Sequence, residues 1–105
     1  MEGWVWKRGD LNRTWRRRWL VLRHRSLVYH KEAAGAPAGA VPLSECLRVD
    51  AVAREEADGR DFVFAVDTKQ RRWLLQAESE EEAAAWLAVL GQAWASLRVP
   101  LSKRS

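Results

Sequence analysis

Cysteine is nearly absent: Cys46 stands alone among 105 residues, so no internal disulfide can form and a reducing compartment suits the chain. Its thiol reads as a small buried apolar group rather than a reactive one. Histidine is scarce too, and His24, His30 and Cys46 lack the spacing of a metal site. His30 is expected at the surface, opposite Tyr29 on its strand. There is no Gly-x-x-x-x-Gly-Lys loop and no His-Glu-x-x-His helix. These absences argue against an enzyme, and nothing calls for a cofactor or a metal. No apolar run approaches the roughly 18 residues that cross a bilayer. Met1-Glu2-Gly3-Trp4 has neither the charged nor the apolar region of a signal peptide. A soluble, cytoplasmic chain is the expectation.

Tryptophan and positive charge are abundant instead. The chain holds seven tryptophans and a net charge of +4, and its length suffices for one domain with a core that needs no staples. The charge is polarised. Residues 1–31 hold nine Lys and Arg against Glu2 and Asp10, a local charge of +7, while the remainder carries −3. The first third is therefore expected to face an anion: a phosphorylated head group, an anionic leaflet or a nucleic acid.

That charge centres on Thr14-Trp15-Arg16-Arg17-Arg18-Trp19-Leu20-Val21-Leu22, which passes from arginines to apolar residues without a turn residue. As an extended strand it sets Arg16, Arg18, Leu20 and Leu22 on one face. The face that carries leucines into a core thus carries two guanidinium groups to its mouth, a good anion receptor. A preceding strand from Gly3 to Arg8 and turn residues at Gly9-Asp10-Leu11-Asn12 predict a hairpin. Trp4 opposite Trp19 pairs Lys7 with Arg16 and Val5 with Arg18, so Lys7, Arg16 and Arg18 converge. The other face then carries a Trp4–Trp19 pair and a Trp6–Arg17 cation-π contact.

Further strands are predicted at Ser26–Lys31, Ala40–Leu43 and Cys46–Ala53, the last with imperfect alternation, with a loop from Glu32 to Gly39. Tyr29 either sends its hydroxyl to the receptor mouth or packs at the rim of the core. A tight charged turn centred on Asp58-Gly59 leads to alternating Phe62, Phe64 and Val66, and then to Trp73, Leu75 and Ala77. Seven short strands argue for a mainly β sandwich or partly open barrel. Ser79-Glu80-Glu81-Glu82 reads as a capping box. Ala83, Trp86, Leu87, Leu90, Ala93, Trp94 and Leu97 form the apolar stripe of a helix that closes the sheet and stops at Pro100.

The Gly3-Trp4-Val5-Trp6-Lys7 opening, the Trp15–Leu22 basic strand and Trp86 in a final helix together resemble the pleckstrin homology (PH) domain. The resemblance implies a domain over residues 2–97, built of two nearly orthogonal antiparallel sheets with one C-terminal helix, and a tail over 98–105. It implies ligand binding at the open end, between the first two strands. Lipid-binding members follow a lysine at the end of the first strand with a basic-x-basic triplet in the second. Lys7, Arg16 and Arg18 match that pattern, and by the same resemblance would grip the phosphates, while Tyr29 falls where members often place a tyrosine that donates a hydrogen bond to a phosphate. Members selective for 3-phosphorylated lipids add basic residues in the first loop and near the fourth strand. Here Leu11 and Ala36-Pro37-Ala38 are uncharged, leaving Arg8, Arg13 or Lys69 to compensate.

The resemblance thus implies a noncatalytic module that binds phosphoinositide or another anionic membrane lipid, transiently at the cytosolic face of a membrane. The rival reading is a protein-interaction scaffold with feeble, nonspecific lipid attraction. Nucleic acid fits the strand order and the helix less well. Arg17, Arg23 and Arg25 read as a solvated face.

Overall fold

The computed structural model describes residues 1–97. Strands β1 (Glu2–Arg8), β2 (Trp15–Leu22), β3 (Ser26–His30) and β4 (Pro37–Pro42) come first. A 3-10 turn at Leu43–Glu45 follows, then β5 (Cys46–Ala51), β6 (Val63–Thr68), β7 (Arg72–Gln76) and one helix, α1 (Glu80–Leu97). All pairs are antiparallel, in the order β4-β3-β2-β1-β7-β6-β5. The two sheets that the resemblance implies are joined through the short pairing of β1 with β7 at Trp6↔Gln76 and Lys7↔Leu75.

Inward residues of the two halves meet in one cluster that includes Val5, Leu20, Leu27, Phe64, Val66, Leu75, Trp86 and Leu90. Helix α1 closes it, with the Trp86 ring stacked 6.3 Å from Phe64. Burying a ring of that size contributes on the order of 3 kcal/mol. The Ser79 hydroxyl accepts the Glu82 backbone N–H at 3.1 Å, so the serine half of the predicted capping box forms. The Glu82 side chain stays exposed to water. Trp94 Nε1 donates to the Cys46 carbonyl at 2.8 Å and ties the helix to β5. Cys46 itself is buried. Pro100 and the expected 98–105 tail lie outside the described residues.

Several boundaries differ from the sequence expectation, each for a packing reason. β4 begins at Pro37, inside the expected loop, because Gly39 pairs with Tyr29 and leaves room for its ring. A Cβ at Gly39 would collide with the Tyr29 hydroxyl. A register shift between Cys46 and Arg48 turns Leu47 outward, 51% exposed, which accounts for the imperfect alternation of β5. Phe62 precedes β6 at φ 60° and is exposed. β6 is buried on both faces, because residues 52–62 make no tight hairpin but a helical turn, with Gly59 N–H bonded to the Arg54 carbonyl at 2.9 Å. That turn presses Ala57 onto Val63 and Leu74 as a second small core. His30 is buried rather than at the surface, 5% exposed, because the following loop folds back over it. Its Nδ1 lies 3.0 Å from the Gly35 carbonyl. A carbonyl only accepts, so Nδ1 carries the proton.

Candidate functional site

The β1–β2 hairpin takes the register its apolar faces predict: Trp4↔Trp19, Val5↔Arg18, Trp6↔Arg17 and Lys7↔Arg16. Val5 and Leu20 are buried in the core, so the residues beyond them on the same face, Lys7, Arg16 and Arg18, come together at its rim. The connection between the strands is short. Gly9 N–H bonds the Thr14 carbonyl at 2.8 Å, and the Thr14 N–H bonds Asn12 Oδ1 at 3.1 Å. Leu11 stands at its tip, 97% exposed.

Lys7 occupies an aromatic seat. Its Nζ lies 4.6 Å from the Tyr29 ring centre and 4.9 Å from that of Trp73, and the two rings are 5.8 Å apart. Tyr29 packs against the core and also holds this ammonium. Burial pushes the Lys7 ammonium below its usual pKa, and Arg71 and Arg18 push it further the same way. A proton held under that strain favours an incoming anion. Arg18 is oriented by a 2.7 Å bond from its guanidinium to the Arg17 carbonyl. Among the described residues no carboxylate forms an ion pair with Lys7, Arg16 or Arg18.

Arg8 and Arg13 are set apart from this group. Arg8, one residue beyond Lys7, turns to the opposite side, where it pairs with Asp58 at 3.5 Å and donates to the Glu56 carbonyl at 3.3 Å. Arg13, in the connection at φ 57°, borders with Arg8 a cleft of about 510 Å³. Arg71 and Arg72 also line it, against Asp10, Glu55, Glu56 and Asp58. Four arginines facing four carboxylates make a self-neutralised cleft. Arg72 shows why: it bonds Glu56 at 2.6 Å and Asp67 at 2.7 Å, which raises its own pKa and lowers that of Glu56.

The outer face of the hairpin carries the expected Trp4–Trp19 pair, edge to face with ring centres 5.2 Å apart. Arg17 does not cover Trp6 as expected. Its long arm reaches the diagonal neighbour Trp4, 4.4 Å from the ring centre, and Trp6 takes Arg60 at 5.5 Å instead.

The family model described as PH domain matches residues 1–94. The chain belongs to the PH domain family. Pleckstrin homology domain-containing protein 1 of Arabidopsis thaliana is 31% identical over 97 residues, 87% of this chain and 66% of that protein. Arf-GAP with coiled-coil, ANK repeat and PH domain-containing protein 2 of Rattus norvegicus is 36% identical over 88 residues, 83% of this chain and 11% of that protein. The chain therefore spans two thirds or less of these relatives. Among solved structures, the C-terminal PH domain of pleckstrin in complex with D-myo-Ins(1,2,3,5,6)P5 superposes with a TM-score of 0.75 at 28% identity, covering 90% of this chain and 93% of that one.

In this PH domain the sequence pattern did not single out Trp73, Gly39 or Arg71, all of which shape the Lys7 seat. Trp73 and Gly39 read as ordinary strand and loop residues until β7 and β4 are brought beside Lys7 and Tyr29. Arg71 carries the only available signal, a basic residue two positions before an aromatic one. Among the described residues no helix is long and apolar enough to cross a membrane, and no group of three or more His, Cys, Asp or Glu is placed to hold a metal ion.

Proposed function

We propose that this PH domain recruits its parent chain to membranes by gripping the phosphates of a phosphoinositide head group. It acts in the cytoplasm and, transiently, at the cytosolic face of a membrane. The observation that carries this reading is the trio itself: Lys7 paired in register with Arg16, Arg18 on the same face, and no carboxylate bonded to any of them. The pleckstrin domain in complex with inositol pentakisphosphates, 28% identical, supports it.

The two guanidinium forks supply paired N–H donors to phosphate oxygens. Lys7, already partly stripped of water, loses little more when a phosphate arrives. Tyr29 supports the Lys7 ammonium with its ring, and Leu11 can enter the lipid interface, where burying its side chain contributes about 1.5 to 3 kcal/mol. No step calls for catalysis, a metal or a cofactor. Sedimentation with vesicles containing phosphatidylinositol bisphosphate, phosphatidylserine alone, or neutral lipid tests the reading. Binding that needs the phosphoinositide and disappears in R16A/R18A upholds it; equal binding to all anionic vesicles reduces it to surface charge.

One observation favours a second reading, a protein-interaction module. On the outer face Trp6 and Phe62, 39% and 43% exposed, line a groove of about 440 Å³ with Arg17 and Glu78. Absence of vesicle binding, with a protein partner lost on Trp6→Ala, would favour it.

A further inference from the structure

We propose that the outer-face groove between Trp6 and Phe62 continues past Phe62 to the start of α1 as a track for a proline-rich peptide flanked by basic residues. This deepens the protein-interaction reading of that groove and rests on it. Trp6 and Lys7 are adjacent in β1 and point to opposite sides of the sheet, so the track lies on the other side from the phosphate receptor.

Phe62 carries the argument. Among the described residues, Arg13, Asp58 and Phe62 are the non-glycine residues at positive φ, and Phe62 alone of the three is apolar. A bulky residue is strained at φ 60°, where glycine or asparagine sits at ease, and such strain gathers at binding sites. Burial does not offset it. The ring is 43% exposed and belongs to neither core cluster. It stands instead between two grooves and lines both: one of about 440 Å³ with Trp6, Gln76 and Glu78, the other of about 400 Å³ with Asp61, Glu80 and Leu87.

The surroundings select the occupant. Strands β1, β7 and β6 are all interior in the ladder, so no free strand edge is offered for an added strand. Gln76 and the Arg17–Glu78 ion pair, at 3.4 Å, interrupt the apolar surface that a docked helix needs unbroken. What remains is two separated rings and a donor. Trp15 and Trp19 give their indole N–H groups to Asp58 at 2.9 Å and Glu2 at 3.2 Å, whereas Trp6 Nε1 has no acceptor among the described residues. Arg60, bonded to Gln76 at 2.7 Å, backs the Trp6 ring from 5.5 Å. A polyproline II chain makes no internal hydrogen bonds, so its carbonyls are open to that N–H, and its stiff proline rings pack on exposed aromatic rings with little entropy lost. Charge selects the flanks. Arg17, the one cation lining the track, is already paired, while Glu80, Glu81 and Glu82 in the first turn of α1 form no ion pair among the described residues. Basic residues beside the prolines complement these carboxylates.

The test is fluorescence anisotropy with a labelled peptide of eight prolines flanked by arginines, together with nitrogen–proton NMR of the Trp6 indole. Saturable binding that moves the Trp6 signal is the expected result. Exchanging the prolines for alanines, or the arginines for glutamates, should weaken binding by about tenfold or more. F62G deletes the ring and relieves the backbone, so it should leave the melting temperature no lower while weakening the peptide by about tenfold or more. W6F keeps a ring and loses the N–H, for a loss of about three- to tenfold. E80Q should cost about two- to fivefold. Peptide binding that F62G leaves intact overturns the track. Equal binding of the alanine peptide at the same Trp6 signal overturns proline recognition and leaves a protein-interaction surface standing. A Trp6 signal that no peptide moves also overturns the track, whereas the interaction reading falls separately, when no protein partner is lost on Trp6→Ala.

Discussion

Two arginine-rich regions lie side by side at one end of this PH domain and behave oppositely. In the Lys7–Arg16–Arg18 group the cations face outward with no bonded carboxylate, whereas in the neighbouring cleft Arg8 and Arg72 are tied to Asp58, Glu56 and Asp67. Both are basic in sequence, yet only the first leaves its cations without a bonded carboxylate. A count of lysines and arginines does not locate an anion receptor; the compensation of each charge does. Arg8 and Arg72 hold the 52–62 segment against the sheet, a structural task.

That contrast is most severely tested by comparing R16A/R18A with R8A. Losing two forks should weaken binding to phosphatidylinositol bisphosphate vesicles by roughly 30- to 100-fold, about 2 to 3 kcal/mol, with the melting temperature little changed. R8A should do the reverse, lowering the melting temperature and leaving binding within about twofold. Equal losses of binding would erase the distinction between the regions.

Gly39→Ala comes next, because its methyl would meet the Tyr29 ring on which Lys7 rests. A destabilisation of about 1 to 3 kcal/mol in urea unfolding is expected, with weaker binding by the folded fraction. Smaller again is Leu11→Ser, about 1.5 kcal/mol or roughly tenfold on vesicles. The same change should leave soluble inositol hexakisphosphate untouched, which separates membrane insertion from phosphate contact.

The smallest effect is one of pH. Because burial, Arg71 and Arg18 hold the Lys7 pKa below 10.5, the unfolded chain binds that proton more tightly than the folded one. Stability therefore gains a little as pH rises from the lowered value to 10.5, while phosphate affinity declines over the same window as the ammonium is lost. Titrating inositol hexakisphosphate binding across that alkaline range should show the decline in wild type and a flat profile in Lys7→Arg.

The hairpin and its register were legible in sequence because Val5, Leu20 and Leu22 leave one arrangement that keeps apolar residues on a shared face. Lys7, Arg16 and Arg18 followed automatically, being on that face and beyond it. The helix was legible through its 3.6-residue period and Ser79. Phe62 and the 52–62 turn were not, since Asp58-Gly59 reads locally as a hairpin and only Ala57, Val63 and Leu74 together explain the longer fold. His30 was misplaced for the same reason: its burial depends on Gly35, five residues away.

Alternation along single strands determines which residues share a face, and so the sequence alone determined the basic trio and the PH likeness. Whether each cation remains unpaired depends on carboxylates brought from distant segments, Asp58 and Glu56 to Arg8 and Arg72, Asp10 to Arg71. Coulomb attraction acts through space rather than along the chain, so only the folded arrangement could decide which arginines are paired within the protein and which are not.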